Sequence, residues 1–320
     1  MQSVKAIHLT GLIGSSPLGV LAAFGLMRVC SEIQKLNDVW LSWTRDDEES
    51  GNPLDDWVAV LTVKKQITPE TLIDLLVTRQ QKRPTADFDW NTDIRSEPKE
   101  FERRLIEHAM NARFEDDERT LADFFVAFGS ETLTDKSKKK LVKPTAFHMT
   151  SGQQEFLKNL KELAESMRKN PVGAFREALF GPWQYMDPFH SLGWDPTTER
   201  LYALRHRAPT KEAPCCVRAA VWLAYESLPL FPTARVGTRL RTTGFSRADG
   251  EVRFTWPLWT RPIGLSTLRS LLGTEELYKG RAGWEALEHR GVTAAYQTIR
   301  SEFGQGYAIF RPAKLVFSAE

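Results

Sequence analysis

One histidine in this chain stands between two aspartates, in the run Asp187-Pro188-Phe189-His190-Ser191-Leu192-Gly193-Trp194-Asp195. Folded together, those three side chains would make a divalent-metal site or an acid–base pair. A histidine flanked by aromatic residues more often packs or hydrogen-bonds, and no second cluster elsewhere matches it. A denser acidic patch, Asp87-Phe88-Asp89-Trp90-Asn91-Thr92-Asp93, resembles metal ligands but lacks the glycine and distal glutamate of a calcium-binding loop, so it reads as a solvated loop. The run Gly11-Leu12-Ile13-Gly14-Ser15-Ser16-Pro17-Leu18-Gly19 has no Lys-Ser/Thr after its second glycine and misses the dinucleotide fingerprint. It predicts a tight turn from a strand into a helix. With no Gly-X-Ser-X-Gly, no paired histidines and no Walker element, the chain is expected to bind without catalysing, with no metal and no cofactor.

The remaining chemistry is basic. Of 320 residues, 43 are Lys or Arg and 41 Asp or Glu, a formal charge of +2. The balance is uneven: residues 1–180 hold 25 basic and 28 acidic residues, residues 181–320 hold 18 and 13, and residues 200–261 hold 11 and 4. Fifteen of the 18 basic residues after 180 are arginine, the side chain suited to bidentate phosphate contacts. Arg205, Arg207, Arg218, Arg235, Arg239, Arg241 and Arg253 are therefore the expected nucleic-acid contacts. Lys138, Lys139 and Lys140 join them from the most basic short run, Thr134 to Pro144. Cys30, Cys215 and Cys216 have neither a disulfide framework nor metal-site spacing, and no apolar run is long enough to span a membrane. The expected setting is the cytoplasm.

Local signals place these residues on an α+β fold: a mixed or antiparallel sheet with a strand-helix-strand N-terminal opening and packed helices. Val4 to Thr10 alternates as a strand. Ser15 or Ser16 caps a helix with Pro17 at its first position, and Val39 to Thr44 is again β-rich. Trp57 to Leu61 reads as a strand or a short buried helix. Helices are expected from Pro69, capped by Thr68, to about Arg83, and over Pro98–Arg113 and Thr120–Phe128. Thr145 to Met149 reads as a strand, Thr150 or Ser151 as the cap of a helix to about Met167, and Val172–Phe180 and Cys216–Glu226 as further helices. Trp194 to Thr198 predicts a turn between two strands, the second carrying Arg205 and Arg207 on one face. Asp249-Gly250 predicts a hairpin that joins Arg239–Thr243 to Val252–Trp256. Leu265–Leu272 and part of Trp284–Arg300 are helical in pattern, and Tyr307–Arg311 or Leu315–Phe317 completes a sheet. The chain divides into a helix-rich part, residues 1–180, and a basic part with hairpins, residues 181–320, or forms one continuous domain.

Several phrases also carry a family likeness. They are His8-Leu9-Thr10-Gly11-Leu12, Pro17-Leu18-Gly19-Val20-Leu21-Ala22-Ala23-Phe24-Gly25-Leu26-Met27-Arg28-Val29, Leu41-Ser42-Trp43, Ser191-Leu192-Gly193-Trp194-Asp195-Pro196, Arg200-Leu201-Tyr202-Ala203-Leu204-Arg205 and Glu226-Ser227-Leu228-Pro229-Leu230-Phe231-Pro232. In order and wording this sequence resembles proteins found with type I-G (formerly I-U) CRISPR systems. Two neighbouring families fit: a subunit of the RNA-guided surveillance complex, and an accessory or extension protein of the helicase-nuclease. The resemblance implies a bacterial antiviral defence protein that works with CRISPR RNA, target DNA or both, and with other CRISPR-Cas effector subunits. Two other readings stand beside it: a protein–protein adaptor of the same system whose arginines meet an acidic partner, and a metal-dependent nuclease using Asp187, His190 and Asp195.

Overall fold

The computed structural model describes residues 5–36, 38–45, 56–113, 116–135, 140–150, 155–198, 215–303 and 307–319. The chain opens with strand β1 (Lys5–Ile13) and helix α1 (Pro17–Glu32). The Ser16 hydroxyl accepts the Gly19 N–H at 3.1 Å, and Pro17 occupies the first turn, where its missing N–H costs nothing. Strands β2 (Val39–Thr44) and β3 (Val58–Val63) follow, and all three pair antiparallel with β3 in the middle. All six residues of β3 are buried, as a central strand covered on both faces requires.

Helices α2 (Pro69–Lys82), α3 (Pro98–Asn111) and α4 (Asp116–Phe128) lead into the hairpin of β4 (Gly129–Thr134) and β5 (Val142–Pro144). Next come α5 (Phe156–Met167), α6 (Pro171–Phe180) and α7 (Arg218–Glu226). The basic part then forms two hairpins in succession. Strand β6 (Thr233–Val236) pairs with β7 (Arg239–Thr242), and β8 (Phe245–Ala248) with β9 (Glu251–Leu258). Helices α8 (Leu265–Leu272) and α9 (Trp284–His289) precede β10 (Ala294–Phe303), which pairs with β9 on one side and with β11 (Tyr307–Phe310) and β12 (Lys314–Ser318) on the other. Among the described residues every strand pair is antiparallel, and the class is α+β. Among the described residues no helix is long and apolar enough to cross a membrane.

One apolar core draws on both parts of the chain. Helix α1 is buried on every side from Pro17 to Cys30, as expected of a helix apolar all round. It lies so close to α7 that a Cβ placed on Gly25 would sit 1.7 Å from the Leu223 carbonyl oxygen. Gly25→Ala therefore forces the two helix backbones apart. We expect a loss of about 1–3 kcal/mol or more, read as a lower urea midpoint, whereas an unchanged midpoint would mean the helices are not packed this way. The indole N–H of Trp256 donates to the Gly14 carbonyl at 2.8 Å and that of Trp259 to the Leu41 carbonyl at 2.7 Å, which ties the C-terminal sheet to the first one.

Three expectations need correction. Residues 189–194 form no strand: Trp194 is fully buried, its indole donating to the Phe147 carbonyl at 3.0 Å, and Pro196–Thr198 is a single 3-10 turn held by Asp195 Oδ1. Gly193 has φ +79°, and a Cβ there would meet the Ala308 carbonyl at 2.5 Å, so tertiary packing rather than β-pairing sets this segment. Residues 145–149 form no strand either, since their backbone turns after β5 to deliver Phe147 into an aromatic cluster. The Asp249-Gly250 hairpin exists, with φ +53° and +79° at its two turn residues, but β9 pairs with 245–248. The Arg239–Thr242 strand pairs instead with β6 across a second tight turn at Gly237.

Candidate nucleic-acid interface

A cleft of about 750 Å³ opens between the β4–β5 hairpin, the β6–β7 hairpin and strand β8. Its position follows from a knot of three threonine side chains. Thr233 on β6 donates to the Ala127 carbonyl at 3.0 Å, and its hydroxyl lies 3.1 Å from that of Thr242 on β7 and 3.3 Å from that of Thr145. Thr242 also accepts the Ala146 N–H at 3.0 Å. All three threonines are buried, so each hydroxyl needs a partner, and each finds one in the others. The knot fixes β7, and with it Arg239 and Arg241, against the chain leaving β5.

The floor holds two arginines brought from distant parts of the chain. Arg300 on β10 donates to the carbonyls of Ala146 at 3.0 Å and His148 at 3.2 Å and pairs with Glu302. Arg95 donates to the Thr150 carbonyl at 2.9 Å and reaches His148 Nδ1 at 3.3 Å. The other ring nitrogen of His148 lies 2.9 Å from Asp93. Burial pushes the His148 imidazole below its ordinary value, so the ring is neutral at neutral pH, with Nε2–H donating to Asp93 and Nδ1 accepting from Arg95. Burial alone would raise the Asp93 carboxyl, but its hydrogen bonds to His148 and to the Arg95 N–H at 2.9 Å hold it below the ordinary carboxylate range. Both nitrogens of His148 are thus occupied, and the pair holds Arg95 in place.

The rim is different. Lys143, Arg239, Arg241 and Arg247 are exposed and line the cleft, and among the described residues they make no ion pair or side-chain hydrogen bond. The lining carries six guanidinium or ammonium groups (Arg95, Lys143, Arg239, Arg241, Arg247, Arg300) against two carboxylates (Asp135, Glu302), a local excess of four positive charges. Such a site attracts anions.

Of the expected contacts, Arg239 and Arg241 reach this cleft together. Arg235, on the neighbouring strand, spends its guanidinium on the carbonyls of Gly237 at 2.8 Å and Thr132 at 2.9 Å. Arg253 is held by Asp249 at 3.0 Å and Glu251 at 2.9 Å, so its charge is locally neutralised. Arg218 lies elsewhere, paired with Asp187 at 3.1 Å and bonded to the carbonyls of Lys169 and Asn170, where it fastens the start of α7. Lys140 is exposed with φ +58°, just before β5. Lys138, Lys139, Arg205 and Arg207 lie outside the described residues. Lys143 belongs to the expected basic run, though Lys138, Lys139 and Lys140 stood for it, and Arg95, Arg247 and Arg300 were not foreseen. Arg247 had a local signal, its place in the β-run beside Asp-Gly, whereas Arg95 and Arg300 arrive only through long-range pairing.

The candidate metal ligands do not converge. Both oxygens of Asp187 engage Arg218, whose backbone N–H lies 3.0 Å from the second oxygen, and Asp195 accepts from the Thr197 N–H and hydroxyl. In the 87–93 patch Asp87 pairs with Arg83, Asp89 with Lys161 and Asp93 with His148. Among the described residues no group of three His, Cys, Asp or Glu side chains could hold a metal ion. No protein-family model, curated protein or solved structure matches this chain.

Proposed function

We propose that this protein is a non-catalytic nucleic-acid-binding subunit or accessory protein of a type I CRISPR-Cas antiviral defence complex in the bacterial cytoplasm. It holds phosphate backbone in the cleft between the β4–β5 hairpin, the β6–β7 hairpin and strand β8. The observation that carries the binding reading is the convergence on one cleft of four cations, Lys143, Arg239, Arg241 and Arg247, that have no partner among the described residues, with a net excess of positive charge. Leaving such groups unpaired and close together costs self-repulsion, which an anionic ligand relieves. The CRISPR setting rests on the sequence phrases that resemble type I-G proteins. A labelled oligonucleotide titrated with the purified protein tests the binding. Affinity should fall linearly on a log–log plot against salt, about 50- to 150-fold between 50 and 200 mM for four phosphate contacts. Salt-independent binding, or none alone and in the assembled complex, contradicts it.

The adaptor reading is favoured by a separate observation: Ile106 and Met110, one turn apart on α3, are 49% and 66% exposed. Co-purification with other effector subunits that survives nuclease treatment supports that role, and loss of the association on nuclease treatment opposes it.

A further inference from the structure

We infer that the cleft takes a single nucleic-acid strand, held by its phosphodiester backbone and not by its bases. This rests on the nucleic-acid reading above and narrows it. Size gives the first argument. About 750 Å³ lies within the ~300–1,000 Å³ of pockets that enclose drug-sized ligands, room for a short stretch of one strand. A double helix, whose major groove alone is ~12 Å wide, could only lie across the rim. It would then leave the floor arginines untouched, since the side chains of Arg95 and Arg300 are only 19% and 13% exposed.

Spacing gives the second. Arg239 and Arg241 are two residues apart on β7, which places their Cα atoms ~6.6–6.8 Å apart on one side of the strand. That is about the step from one phosphate to the next along an extended strand. The Ala146, His148 and Thr150 carbonyls already orient the floor guanidinium groups, so little side-chain freedom remains to be lost there on binding.

Among the described residues the cleft also lacks groups for reading bases. Single-strand binders that grip bases present open aromatic faces. The two aromatic side chains of this lining are committed elsewhere. The Phe245 ring packs against Phe147, Phe254 and Phe310 at 4.8, 5.1 and 6.1 Å. The Tyr278 hydroxyl accepts the Gly244 N–H at 3.0 Å and donates to the Leu272 carbonyl. The hydroxyls of Thr145 and Thr242 are bound to each other and to Thr233. Among the described residues the lining is therefore rich in phosphate partners and poor in groups that distinguish one base from another.

The test compares the full-length protein's affinity for 20-nucleotide oligo(dT), oligo(dA), oligo(dU) and oligo(U) and for a 20-base-pair duplex at one salt concentration. The expected result is affinities within about threefold among the DNA homopolymers and at least tenfold weaker binding of the duplex. Arg95→Gln, checked for folding by its melting curve, should weaken single-strand binding about two- to fivefold, less than a full phosphate contact at 0.1 M salt because Asp93 already lies 3.8 Å from its guanidinium, and leave the duplex unaffected. A preference between oligo(U) and oligo(dU) also supports a backbone grip, because these differ only in the sugar, and it tells RNA from DNA. A duplex bound as tightly as single strands, or a tenfold preference among the DNA homopolymers, overturns this inference and leaves the nucleic-acid reading intact. Binding to none of the probes overturns both.

Discussion

Glu226→Ala should lower the stability of this protein by about 3–5 kcal/mol, the cost of breaking a buried ion pair by removing one partner. Glu226 closes α7 with no solvent exposure and receives Arg28 from α1 and Arg79 and Arg83 from the second helix and its end. Arg83 also forms a two-bonded pair with Asp87, at 2.9 and 2.6 Å, and Asp87 accepts the Tyr225 hydroxyl. With Glu32 bound to Arg28 and Arg79, the cluster holds three guanidinium groups and three carboxylates. Its arginines sit against aromatic faces, Arg83 over Phe124 at 5.0 Å and Trp222 at 5.1 Å. Without Glu226, three cations face Asp87 and the exposed Glu32 alone.

The same cluster sets an acid limit. Burial alone would raise the Glu226 carboxyl, but Arg79, Arg83 and Arg28 hold it down to about 2, against an ordinary value of 4.5. A group whose folded value is depressed stabilises the fold above its unfolded value, and that stability is lost as pH falls through the folded one. The shift corresponds to about 3 kcal/mol, present above pH 4.5 and lost between there and about pH 2. Urea midpoints of wild type and Glu226→Gln measured from pH 7 downward check both statements: the gap between them should narrow below pH 4.5. Equal midpoints at pH 7 would show that the cluster contributes nothing.

The second large effect concerns binding. The double substitution Arg239→Ala with Arg241→Ala should weaken affinity about 25- to 60-fold at 0.1 M salt, since each lost phosphate contact removes ~0.7–0.9 from the salt exponent. Both side chains are exposed on β7 and partner-free among the described residues, so their removal leaves the threonine knot and the core untouched. Arg253→Ala is the matched control. Its charge is spent on Asp249 and Glu251, and affinity should change less than twofold. Equal losses from the double variant and the control would mean that bulk charge, not this cleft, governs binding.

How far the sequence foretold this is decided by how local each signal is. Ser16 before Pro17, Thr68 before Pro69, and Asp249-Gly250 marked their elements correctly because caps and tight turns are satisfied within a few residues. The partner of β7 was misread because Gly237-Thr238, which makes the actual turn, is a weaker signal than Asp-Gly. Segments 145–149 and 189–194 looked β-rich, but Phe147 and Trp194 are placed by each other and by surrounding rings, at 6.4 Å and perpendicular, which no local pattern encodes. The density of arginine after residue 200 pointed to Arg239 and Arg241. It could not separate them from Arg253, neutralised by Asp249 and Glu251 in its own hairpin, or from Arg235 and Arg218, which reach Thr132 and Asp187 only through tertiary packing. The floor pair was invisible for the same reason: Arg95 and Arg300 stand about 200 positions apart and meet only because β10 runs beneath the turn after β5. The buried cluster around Glu226 carries no local signal either, since Arg28, Arg79 and Glu226 meet only when their helices pack.

The most direct measurement of the central claim is the salt exponent of single-strand binding for wild type beside a variant with Lys143, Arg239, Arg241 and Arg247 all replaced by Gln. The account predicts that the four substitutions lower the exponent by about 3, leaving only the part carried by the floor arginines, while the melting curve stays the same. An exponent unchanged by the four substitutions would place binding outside this cleft and contradict the account.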